Sequence, residues 1–141
     1  MADPTVRRVG PVRLLLSGYA LFVLAAGGRA CVQLATHPAR APLAYGLSAA
    51  AAVIYATGFL LLAGVSRHPS RGRRAAGVCC AVELAGVLSV GLLGVLAPTA
   101  FPDASVWSGF GAGYGYVPLI LPILAGVWLH HGFHTNARTA A

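Results

Sequence analysis

LAYGLSAAAAVIYATGFLLLAGV, residues 43–65, carries no charged side chain. A bilayer's hydrocarbon core is about 30 Å thick and is crossed by about 20 helical residues rising about 1.5 Å each. The stretch has that length, and its apolar residues form one run instead of alternating with polar ones, which predicts a membrane-crossing helix rather than strands. Residues 14–35 and 75–97 repeat the pattern on either side of it. A fourth span is expected over 107–130. Its firmly apolar part begins only at Tyr116, so it must recruit the glycine-rich segment before it, and its start is expected near Val106 or Gly109.

Composition agrees. Charged residues make up 9% of the 141, where a soluble domain has about 25%, and the mean hydropathy is +0.75. All ten basic residues are arginine and alanine is abundant, a bias typical of high-GC bacterial genomes. The breaks between spans are short and rich in proline. His37, Pro38, Arg40 and Pro42 make the first, Pro69 and Gly72 mark the second, and Pro98 and Pro102 mark the third. Proline disfavours helix in the residue before it, and short connections force neighbouring helices to run antiparallel. The fold class is therefore all-α: one transmembrane domain over 1–141, an antiparallel four-helix bundle with tails over 1–13 and 131–141.

Arginine placement gives the orientation. Arg7, Arg8, Arg13, Arg67, Arg71, Arg73, Arg74 and Arg138 fall on one side of the expected membrane and Arg40 alone on the other. The positive-inside rule then predicts a multi-pass protein of the cell (plasma) membrane with both termini cytoplasmic. The basic N-terminus followed by an apolar run also has the outline of a secretory signal peptide. Apolar character resumes after Arg29, however, which makes the run long for a signal core, and retention is expected.

Arg29 and Glu83 lie inside expected spans. An ionisable side chain there costs about 3 kcal/mol on insertion scales, so each marks a candidate site. Counted from the cytoplasmic boundary, Arg29 comes to a depth of about 22 Å and Glu83 to about 12 Å, so a direct ion pair requires helix tilt and two offset polar sites are the favoured alternative. Ser48 falls level with Arg29 and Tyr55 level with Glu83, while Gln33 is one turn beyond Arg29. A distributed network is expected, with Arg29 donating to Gln33, Ser48 or free carbonyls, and Glu83 accepting from Tyr55. Free carbonyls are expected at Pro118, because Pro122 has no N–H to donate to it, and at Tyr114 for the same reason at Pro118.

Other features point to packing. Gly77, Ala81, Ala85 and Ser89 recur every fourth position, the small-xxx-small pattern that lets helix backbones approach closely. The GYG at 113–115 shares three residues with potassium-channel filters, but it leads straight into Pro118 and reads as irregular backbone at the outer face. Cys31, Cys79 and Cys80 are read as small buried apolar residues, without a disulfide. His130, His131 and His134 have helical spacing, yet no cysteine or carboxylate stands near to complete a metal site. No metal, cofactor or catalytic residue is expected. The basic residues are explained by topology and anionic headgroups, so no nucleic-acid partner is expected.

At the level of size and span number the chain resembles small uncharacterised four-span integral membrane proteins of high-GC bacteria, DoxX-like proteins among them. Small multidrug transporters have the same size, but their substrate-binding glutamate lies in the first span, where this chain has Arg29. The expected function is that of a non-enzymatic structural or partner-binding membrane protein, in contact with lipid and with a membrane protein or a second copy. The alternative is a small proton- or cation-coupled transporter using Glu83 and Arg29.

Overall fold

The computed structural model describes residues 4–65 and 67–139, and side chains over 10–65 and 67–131. Its regular structure is helical throughout: α1 (Pro4–Thr36), α2 (Pro42–Gly64), α3 (Pro69–Leu96) and α4 (Val117–Thr139), with 3-10 segments at Pro98–Ala100 and Ser108–Tyr114 between α3 and α4. Proline opens α2, α3 and the first 3-10 segment, at positions where a helix does not need the missing N–H. The all-α class is as expected.

Several boundaries differ from the sequence reading. Residues 4–13, expected as tail, already belong to α1, and α4 runs past 130 to Thr139. Arg71, Arg73 and Arg74, expected in a loop, ride on the first turns of α3. Arginine is a good helix former, so charge ends the apolar span without ending the helix.

The fourth span is not one straight helix from 107. Ser108–Tyr114 and α4 meet at a bend of 96°. Gly109, Gly111 and Gly115 take positive φ, as do Phe110 at 59° and Tyr116 at 60°. Two non-glycine residues in the left-handed region are held there by what they touch, since each conformation costs on the order of 1–3 kcal/mol. Phe110 lies against α3 at Gly91, where a Cβ would come within 2.5 Å of its ring, and the Tyr116 amide donates to Gly111 O at 3.0 Å.

Three helices are long and apolar enough to cross a membrane, and the bent pair makes a fourth if it counts as one span. Consecutive helices pack side by side and α4 closes back on α1 through the thinnest seam. In this arrangement α1 faces α3 across the centre and α2 faces α4. Leu14, Leu21, Leu24, Val53, Leu60 and Val78 point outward, each between 65% and 77% exposed, whereas Tyr19, Ser48, Tyr55 and Glu83 are fully buried. Apolar outside and polar inside is the arrangement expected where lipid is the solvent.

Candidate functional site

Two groups of polar side chains occupy the bundle, one above the other. The lower is centred on Glu83 of α3. Its Oε2 accepts from Tyr19 Oη of α1 at 2.7 Å, and its Oε1 from Cys79 Sγ at 3.5 Å. The Cys79 thiol has a single proton, which it shares with Ile54 O, also at 3.5 Å. The Tyr19 proton is committed to Glu83, so at the 3.8 Å contact between Tyr19 Oη and Cys80 Sγ the thiol is the donor. Gly58 of α2 closes the fourth side: a Cβ there would stand 2.5 Å from Glu83 Oε1 and 2.9 Å from Tyr19 Cε1. The carboxyl group is thus sealed by neutral donors, and among the described residues no cation bonds to it.

This corrects the expectation that Tyr55 would serve Glu83. Tyr55 Oη instead donates to Pro118 O of α4 at 2.6 Å, the carbonyl that Pro122 frees; Tyr114, the other carbonyl expected to be free, lies outside α4. Tyr19 and Tyr55 lie with ring centroids 5.7 Å apart and send their hydroxyls along different diagonals, α1 to α3 and α2 to α4. The sequence reasoning misses Tyr19, which lies near a span boundary, where an aromatic side chain is ordinarily an interfacial anchor. Depth was the signal available, since α1 and α3 run the same way and Tyr19 is only about 4.5 Å lower than Glu83 when counted from 14 and 75. Cys79 was legible too, being one turn before Glu83.

The upper group is built around the segment between α3 and α4. Arg29 donates through Nη2 to Ala104 O at 2.9 Å and through Nε to Gln33 Oε1 at 3.4 Å, with its guanidinium 5.9 Å from the centre of the Tyr114 ring. The expected Gln33 contact is therefore present. The carbonyl acceptor belongs to the loop rather than to the prolines, and Ser48 does not meet Arg29. Ser48 Oγ donates to Ala44 O at 3.0 Å and accepts the Val106 amide at 3.3 Å. Tyr45 Oη donates to Asp103 Oδ2 at 2.5 Å, and Arg40 pairs with the same oxygen at 3.3 Å. Among the described residues nothing joins Arg29 to Glu83.

Aromatic rings from this segment fit glycines of α3. A Cβ at Gly86 would come within 2.8 Å of the Trp107 ring, and Phe110 occupies the surface of Gly91. Trp107 is buried. The small-residue stripe looks outward from α3: Ala81, Ala85 and Ser89 are exposed and Gly77 is half-buried.

Cys79 and Cys80 are buried free thiols, as read, whereas Cys31 is exposed on α1. His130 and His131 are exposed; the side chain of His134 lies outside the described residues. Among the described residues no group of histidine, cysteine or acidic side chains has the arrangement of a metal site.

Comparison with models of known protein families, with functionally described proteins and with solved structures finds no match. The roles of these residues rest on their geometry.

Proposed function

We propose that this chain is a non-enzymatic protein of the plasma membrane, both termini cytoplasmic, that acts by holding a membrane partner or a second copy against the outer face of α3. The observation that carries this reading is the closure of the interior. Glu83 is fully buried with both oxygens occupied, and Tyr55, Ser48 and Arg29 each donate inside the same molecule. Polar side chains used this way fix helices to one another, at about 0.6 kcal/mol each on average. The surface left for partners is apolar, and on α3 it presents Ala81, Ala85 and Ser89, residues small enough for another helix to approach closely.

The test is the mass of the protein purified in mild detergent together with whatever co-purifies. A defined complex that Ala81→Leu with Ala85→Leu dissolves, at unchanged melting temperature, supports the reading; a wild type that is monomeric and alone sinks it. One feature favours the transporter alternative, namely a central carboxyl group whose partners are neutral. Proton flux into proteoliposomes that disappears in Glu83→Gln would establish that alternative instead.

A further inference from the structure

The chain between α3 and α4 descends into the bundle from the end that carries the α1–α2 turn. Trp107 rests on Gly86 of α3, Tyr114 stands edge-on to Phe22 of α1, and Pro118 O accepts from Tyr55 of α2. At about 1.5 Å per residue, Gly86, Phe22 and Tyr55 lie about 15, 21 and 20 Å from the ends of their helices at Leu96, Thr36 and Pro42. A hydrocarbon core is about 30 Å thick, so Ser108–Tyr114 reaches its middle. From Val117 to Leu129 the apolar part of α4 adds about 20 Å of helix. Irregular backbone fills the rest of the fourth crossing.

One side of that backbone is bare. Ala112, Gly113, Gly115 and Tyr116 are exposed. The amides of Gly115, Tyr116, Leu119 and Ile120 go to the carbonyls of Gly111, Ala112 and Tyr116, so among the described residues the carbonyls of Gly113, Tyr114 and Gly115 receive no backbone hydrogen bond. Lipid tails offer them no donor. Non-helical backbone at such a depth persists only against protein or water.

Arg29 of α1 stands at the same place. Its guanidinium lies 5.9 Å from the centre of the Tyr114 ring, donates to Ala104 O and Gln33 Oε1, and keeps further N–H groups for water or an anion. Among the described residues no carboxylate bonds to it, and Asp103, next to Ala104, is held by Tyr45 and Arg40. An intramembrane arginine faces the bundle interior or a water-filled cavity, and this one is only half-buried.

We infer that residues 108–116 form a re-entrant segment that lines, together with Arg29, an aqueous inlet open toward the α1–α2 turn and attractive to small anions. Lipid or a second copy lying over the segment would leave it dry. The inlet depends neither on the α3 face proposed for partners nor on which end is cytoplasmic, so either reading can fail without the other.

Gly113 makes the inlet measurable, because a Cβ there meets nothing within 4 Å and its backbone is not left-handed. Single cysteines are added to the intact protein in a Cys31→Ala background, which removes the exposed native thiol. Sealed membrane vesicles are treated with two membrane-impermeant methanethiosulfonates, the anionic MTSES and the cationic MTSET. The thiolate is the reacting form, so modification requires water. Ala39→Cys in the exposed α1–α2 turn marks the side. Val53→Cys, at a position 66% exposed and about 16 Å from the same end of α2, is the lipid-facing control at matching depth.

Gly113→Cys is expected to react from the side that modifies Ala39→Cys, and Val53→Cys to stay unmodified. Relative to their rates with a free thiol in solution, MTSES is expected to outpace MTSET at Gly113→Cys by about tenfold. That preference should persist in Arg29→Lys, which keeps the charge, and vanish in Arg29→Gln. A Gly113→Cys as inert as Val53→Cys would overturn the inference, whether lipid or protein covers the segment. So would equal relative rates for the two reagents, or a preference that Arg29→Gln leaves unchanged.

Discussion

Tyr55 and Pro118 are joined across the bundle by a 2.6 Å hydrogen bond from the phenol to a backbone carbonyl that its own helix cannot satisfy. Pro122 stands four residues later and has no N–H to donate, so the acceptor is intrinsic to the sequence of α4 and the donor arrives from α2. Tyr55→Phe is expected to lower stability by about 1 kcal/mol, near the upper part of the range for membrane hydrogen bonds. Pro122→Ala supplies the missing amide. Thermal unfolding in detergent should therefore show Tyr55→Phe costing less in the Pro122→Ala background than in the wild type; an equal cost in both would mean the bond does not carry the effect.

A second prediction concerns Glu83. A double-mutant cycle on Tyr19→Phe and Glu83→Ala is expected to return a coupling of about 0.5 kcal/mol or more, because the side chains share a 2.7 Å hydrogen bond. The cycle on Arg29→Ala and Glu83→Ala is expected to give coupling near zero, since they share no partner. Coupling above about 1 kcal/mol between Arg29 and Glu83 would contradict the two-group arrangement.

How far the sequence led is clearest at these residues. The charge-free run at 43–65 located α2 to within a residue because length and hydropathy are local properties. The free Pro118 carbonyl was legible for the same reason, being a rule about residues four apart. Its donor was not, because which of two neighbouring phenols turns to α3 and which to α4 depends on the rotation of helices against one another. The bend at residues 115–116 was hidden for a related reason. It is fixed by Trp107, Phe110 and Tyr114 resting on Gly86, Gly91 and Phe22, contacts between residues 19 or more positions apart.

Gly58 offers a steric test. An alanine there would place its Cβ 2.5 Å from Glu83 Oε1 and 2.9 Å from the Tyr19 ring, so α2 must move or the Tyr19–Glu83 bond must break. Gly58→Ala is expected to destabilise by about 1–3 kcal/mol, the usual cost of overpacking. Gly46→Ala in the same helix has nothing within 4 Å of the new methyl group and serves as the control. Similar melting temperatures for the two variants would show that α2 does not approach α3 as closely as described.

The last prediction separates the two partners of Asp103. Arg40 has a side chain 67% exposed and Asp103 24%, so their ion pair lies in water, where such pairs contribute about 0–1 kcal/mol. Tyr45 is buried, and its bond to the same oxygen fixes the segment that carries Val106 and Trp107 into the bundle. Tyr45→Phe should therefore loosen residues 101–107 more than Arg40→Gln does. Amide hydrogen exchange is the measurement: Ser48 accepts from the Val106 amide, so that amide reports directly on the seating of the segment. Faster exchange at Val106 in Tyr45→Phe, little changed in Arg40→Gln and insensitive to added salt, is the expected pattern. Salt-sensitive exchange that follows Arg40 instead would assign the fastening of the segment to the exposed ion pair.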